Sequence, residues 1–152
     1  IGLDNSKEMI SFAKKKRLKN CNFFAKDIVK ANFTNADMIA SMFTMQFILP
    51  KHRQKIYDKI YKSLNWGGAF VLFEKIRGND ARFQDIFNFL YFDFKKKNKL
   101  DPVEILDKEK SLRGVLEPYT IQANIDFLKR AGFKDIIPIT QYLNFIGFLA
   151  IK

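Results

Sequence analysis

Over its first half the chain alternates apolar runs of strand length with segments of helical periodicity, and this alternation most narrows the folds open to it. "IGLD" (Ile1 to Asp4) reads as a short strand. Asn5, with Glu8 after it at capping-box spacing, opens a helix that carries Met9, Ile10 and Ala13 on one side and lysines at its end. "CNFFAKD" (Cys21 to Asp27) is a second short strand, again ending in an acid. "ADMIASMFTMQF" (Ala36 to Phe47) has the continuous apolar character of a buried parallel strand. Pro50 then starts a helix in which Ile56, Ile60 and Leu64 recur at helical spacing. "NWGG" stops that helix, and "AFVLFEK" (Ala69 to Lys75) is the next buried strand. Strands and helices alternating at this spacing predict right-handed crossovers in a parallel sheet.

Beyond "RGND" the rhythm changes. A long helix from about Asp80 to Lys97 spreads Phe83, Phe87, Phe89, Tyr91, Phe92 and Phe94 over more than one face, so it needs cover on several sides: from the domain, a partner chain or a ligand. A second helix follows "LDP" and runs to about Leu112; another runs from near Thr120 to Gly132, a natural C-cap. "KDIIPIT" and "LNFIGFLAIK" close the chain as two strands at hairpin spacing. With 152 residues, 47% of them hydrophobic, a single domain over 1–152 is expected, with 80–113 as an inserted helical segment.

Cys21 is the only cysteine and His52 the only histidine, so an internal disulfide, a Cys/His zinc site and a His-based triad within this chain are excluded. No stretch reaches the roughly 18 apolar residues of a membrane span, and no basic-then-apolar leader opens the chain; a cytoplasmic protein is the expectation. The net charge of +11 would suit a phosphate-bearing partner. Only six of the 27 basic residues are arginine, however, and lysine abounds together with Asn, Ile and Phe, so a solvated lysine coat is favoured over a nucleic-acid face.

In an open parallel sheet, ligands lie outside the carboxyl ends of the strands. Asp4, Asp27, the 42–46 stretch and Glu74 fall there. An acid ending one strand suits the two hydroxyls of a ribose, and one ending the next can accept from an adenine amino group, so Asp4 and Asp27 fit an adenosine.

The order of segments resembles a class I S-adenosylmethionine-dependent methyltransferase from its second strand onward. More narrowly, "IGLDNS", "FTMQF", "KIYKSLNWGGAFVLFEK", "DFKKKN" and "LNF" resemble the carboxy-S-adenosyl-L-methionine synthase family, built on that fold, and the resemblance covers essentially the whole chain. It implies a Rossmann-like fold with a mostly parallel sheet and a C-terminal antiparallel hairpin. The first strand and its glycine-rich turn would lie outside this chain, which alone would be inactive. It further implies S-adenosylmethionine or its carboxylated form as cofactor and prephenate as co-substrate, with phenylpyruvate released. The carboxylated product would feed wobble-uridine modification of tRNA, and the protein would be a homodimer. By motif, Asp4 and Asn5 would contact the ribose, and Asp27 and Ile28 the adenine. Met42 stands at the cofactor where the family has an asparagine. Lys108-Glu109 stands where the family has a Lys-Arg pair whose arginine grips the cofactor carboxylate, so Lys110 or Arg113, one helical step away, would take that carboxylate. "KLD" (Lys99 to Asp101) replaces the family's Gly-Tyr-Ser. Two alternatives remain. An ordinary methyltransferase on a small molecule or RNA would leave prephenate unconsumed, and a basic binding or scaffold domain would show salt-dependent RNA binding without adenosine affinity.

Overall fold

In the computed structural model, which describes all residues from Ile1 to Lys152, the chain divides into units of 1–34 and 35–152, each with its own sheet. In the first unit Gly2–Asp4 (β1) and Phe23–Ala25 (β2) pair in parallel, with Asp4 opposite Ala25. Lys7–Lys15 (α1) joins them, and its cap is Ser6, whose Oγ accepts the Met9 N–H at 3.2 Å. The cap falls one residue later than Asn5 because Asp4 Oδ1 takes the Ser6 N–H at 2.8 Å, an Asx turn that delays entry into the helix. Of the expected apolar stripe only Ile10 is buried; Met9 is 57% exposed.

The second unit holds a four-stranded sheet in the order β3-β4-β6-β5, made of Ala36–Met42 (β3), Leu64–Lys75 (β4), Asp135–Tyr142 (β5) and Phe145–Ile151 (β6). β3 and β4 are parallel, while β6 is antiparallel to both β4 and β5. Pro50–Ser63 (α2) crosses from β3 to β4 and buries Ile56, Tyr57 and Ile60. Ile121–Ala131 (α5) lies beside α2: Phe127 stacks on Tyr57 at 5.5 Å, and Leu128 is fully buried. Phe70, Leu72, Phe148 and Phe133 complete this core, each side chain contributing roughly 1.5–3 kcal/mol through burial. Thr120 and Gly132 bracket α5 as expected; the Thr120 hydroxyl accepts the Ala123 N–H at 3.2 Å, and Gly132 turns the chain at φ +121°. Ala81–Lys97 (α3) and Pro102–Ser111 (α4) fill the connection between β4 and α5, capped by Asp80 and Asp101.

Three further sequence expectations change. The strand starting at Ala36 ends at Met42 and not at Phe47, because Phe43 turns left-handed and Met45–Phe47 wind into a 3-10 turn. β3 is also largely exposed, with Met38 at 61%: it is the edge strand of its sheet, and its apolar run lacks the cover that a central parallel strand has on both faces. "NWGG" lies inside β4, where the register jumps between Leu64 and Ala69 and Gly67 takes φ +74°; Trp66, on this bulge, is 90% exposed. As for the aromatic helix, no residue of α3 is buried, so the domain supplies little of the cover its rings need. No helix is long and apolar enough to cross a membrane.

Candidate functional site

The parallel register of β1 and β2 brings Asp4 and Asp27 to the same carboxyl edge, with Asn5 and Ile28 next to them. Each acid is held by a turn of its own. Asp4 Oδ1 accepts from Ser6 N–H, and Asp27 Oδ1 accepts from Val29 N–H at 2.9 Å. Both carboxylates are exposed, as is Asn5, while Ile28 is half-buried. A fixed carboxylate at a strand end can accept hydrogen bonds from two hydroxyls, and a second one beyond the next strand can accept from an amino group. The two acids legible in the sequence are thus two oriented acceptors at one sheet edge.

In the second unit the carboxyl ends of β3 and β4 meet a tightly tied turn. Met42, the last residue of β3, pairs with Phe73 and is 55% exposed. Phe43 follows at φ +55°, a conformation that costs a bulky residue on the order of 1 kcal/mol or more. Its N–H donates to Phe73 O at 2.8 Å, and its ring meets Phe73 and Phe145 edge-on, so packing holds the strained residue. Beyond it, Met45 N–H donates to Glu74 Oε1 at 3.1 Å, and Lys75 N–H donates to Gln46 Oε1 at 2.7 Å. The "TMQF" turn is therefore bonded directly to the last residues of β4.

Glu74 and Arg53 lie within this knot. Arg53 is 2% exposed; it donates to Ile48 O at 2.7 Å and to Gln46 O at 3.1 Å, and its guanidinium sits 4.6 Å from the centre of the Tyr119 ring. Burial pushes the Glu74 carboxyl up to about 8, against the opposing pull of the Met45 amide, Arg53 and the Gln46 amide. Burial, with the nearby Glu74, also pushes the Tyr57 phenol up. The sequence placed Glu74 and Gln46 at a strand end but missed Arg53. A signal was there: Arg53 shares the helical spacing of Ile56, Tyr57 and Ile60, so it is an arginine on the apolar face of α2.

At the end of α4, Lys110 pairs with Asp107 at 3.2 Å in the open, and Arg113 is exposed in the turn that follows. Glu109 does not stand as a free negative charge, since Lys95 Nζ lies 3.4 Å from its Oε1.

No family model matches the chain. Over its full length the chain is 40% identical to the carboxy-S-adenosyl-L-methionine synthase of Staphylococcus epidermidis, of which it covers 67%. It is 37% identical to the synthase of the same name from Nautilia profundicola, of which it covers 66%. The chain thus spans about two thirds of the length of these curated relatives. Among solved structures it superposes on the YcgJ protein of Bacillus subtilis with TM-score 0.69 at 14% identity, covering 99% of this chain and 81% of that one. It also superposes on human N-acetylserotonin methyltransferase, solved with S-adenosylmethionine, with TM-score 0.63 at 17% identity, covering 96% of this chain and 38% of that one. At these identities the likeness is one of fold: the Rossmann-like fold of class I S-adenosylmethionine-dependent methyltransferases.

Proposed function

Because the chain belongs to the carboxy-S-adenosyl-L-methionine synthase family, we propose that it carries the adenosine-binding edge and the acid-handling end of an enzyme that carboxylates S-adenosylmethionine at the expense of prephenate. The observation that carries this reading is the placement of Asp4 and Asp27 on one carboxyl edge, each carboxylate oriented by its own turn. Asp4 and Asn5 hold the ribose, Asp27 and Ile28 the adenine, and Met42 lies along the cofactor. Lys110 and Arg113 take the carboxylate of the product.

The atom balance explains why a site without a histidine base can serve. Prephenate becomes phenylpyruvate by losing carbon dioxide and hydroxide. The sulfonium methyl gains the carbon dioxide in exchange for a proton, and that proton and the hydroxide make water. The reaction then asks the protein for alignment and exclusion of solvent, not for a proton-transfer side chain. In this reading the product serves wobble-uridine modification of tRNA, and the enzyme is a cytoplasmic homodimer.

The full product of the gene, incubated with S-adenosylmethionine and prephenate, is expected to yield carboxylated cofactor and phenylpyruvate by mass spectrometry. Prephenate left intact while a methyl group is transferred elsewhere would establish the second reading, an ordinary methyltransferase, which Met42 favours by standing where the family has an asparagine. Steep salt-dependent RNA binding without affinity for S-adenosylmethionine would replace both with a basic scaffold.

A further inference from the structure

Two lysines converge on one tyrosine at the carboxyl end of β4. Lys75 Nζ lies 5.0 Å from the centre of the Tyr91 ring, and Lys95 Nζ lies 4.2 Å from it. Glu109 is the carboxylate that answers them, at 3.4 Å from Lys95, and it is the open end of the group: the Lys95 side chain is 13% exposed and that of Glu109 56%. Burial and the neighbouring Lys95 both push the Lys75 ammonium below its ordinary value, and Glu109 only partly opposes them. The cluster therefore holds two half-buried positive charges against one negative charge, an imbalance that an entering anion would relieve.

A chain of edge-to-face rings continues from the same point. Tyr91 meets Phe145 edge-on at 5.1 Å, Phe145 meets Phe43 at 5.8 Å, and Phe43 is the left-handed residue that ends β3. Lys75, alone of this group, also borders a separate cavity of about 440 Å³ lined by Arg77, Asp80, Gln84 and Pro118. Strained backbone, unbalanced cations and ring faces gather at the strand end where this fold class receives its ligands.

We propose that Lys75 and Lys95, with the rings of Tyr91, Phe43 and Phe145, form the site of the acid co-substrate, the two ammonium groups holding the carboxylate it keeps and the rings lining its apolar ring. The identity of the ligand rests on the reaction proposed above, in which prephenate surrenders one carboxylate and carries the other through to phenylpyruvate. A carboxylate offers one oxygen to each lysine in charge-assisted hydrogen bonds, and Glu109 keeps Lys95 turned toward the ring.

Phenylpyruvate and phenylacetone, which differ by that retained carboxylate, separate the charged part of the site from the apolar part. In calorimetric titrations of the chain, phenylpyruvate is expected to bind at least about tenfold more tightly than phenylacetone, and Lys75→Met and Lys95→Met each to remove that advantage while leaving phenylacetone binding unchanged. No binding of phenylpyruvate by the unaltered chain, or the same affinity in both variants, would overturn the site. Equal loss of both ligands would overturn it too, since the lysines would then be holding the fold. The reaction is judged separately, by turnover of the full gene product. Lysine-dependent binding without carboxylated product leaves the site standing and removes the reaction, whereas turnover with an unchanged KM for prephenate in both variants keeps the reaction and removes the site.

Discussion

Asp4 has two roles that substitution can separate. Its Oδ1 closes the turn into α1, and its charge is what the ribose reading needs. Asp4→Asn keeps a carbonyl acceptor for the Ser6 N–H and removes the charge. It is expected to weaken S-adenosylmethionine binding by the full gene product about tenfold, with an unchanged unfolding midpoint. Asp4→Ala should show the same loss and also unfold more easily, by about 0.5–1 kcal/mol. Identical affinity for all three proteins would remove Asp4 from the cofactor site. Glu74 makes a prediction of opposite character. Its folded-state value of about 8 lies above the ordinary 4.5, so the folded chain holds this proton where the unfolded chain releases it. The resulting stability is fully present below pH 4.5, falls as pH rises, and is lost as the pH passes through about 8. Glu74→Gln, neutral at every pH, should match the unaltered chain in urea at about pH 4 and exceed it by a growing margin at pH 6 and pH 9; parallel curves would refute a neutral Glu74. Both acids were legible because an acid at a strand end interrupts an apolar run. Arg53 was not, because in "KHRQK" it reads as one more solvated cation.

Helix α5 shows how far element boundaries can be read from local chemistry. Thr120 and Gly132 were each named from the sequence, and each performs its capping role in the fold. Gly132 also sits against Tyr61, whose ring carbons would be 2.7 Å from an added Cβ. Strain at φ +121° and the clash act together, so Gly132→Ala should lower stability by more than about 1 kcal/mol, read as a shift of the urea midpoint at constant slope. β3 was misread because its sequence holds no glycine where the chain turns. The bend is made by Phe43, a residue type that rarely takes a left-handed conformation, and it is held there by contacts with residues about 30 and 100 positions away. Its exposure was illegible for a related reason: an apolar run records what a strand can bury, not what lies against it.

At the scale of the whole chain, the order of strands and helices carried the fold class, because the alternation admits few topologies and the solved structures share the one it pointed to. The division into units of 1–34 and 35–152 had no counterpart in composition, since no linker-like stretch marks it. The aromatic surface of α3 is the largest departure from what a solitary chain would keep, with Phe83 at 52% and Phe89 at 69% exposure. If the homodimer proposed above uses this helix, sedimentation velocity should show a dimer at micromolar concentration, and Phe89→Glu should return it to a monomer. A monomer before substitution would rule that arrangement out.

Trp66, alone on the β4 bulge, determines how this protein can be observed. It is the chain's only tryptophan, and at 90% exposure its indole already sits in water in the native state. Its emission should therefore lie at long wavelength before any denaturant is added and shift little on unfolding, and acrylamide should quench it almost as well in the folded chain as in the unfolded one. Tryptophan fluorescence would report this protein as denatured while it is intact. The folding signal lies instead in near-ultraviolet circular dichroism, where the buried Tyr57, packed against Phe70 and Phe127, gives the asymmetric environment that Trp66 lacks.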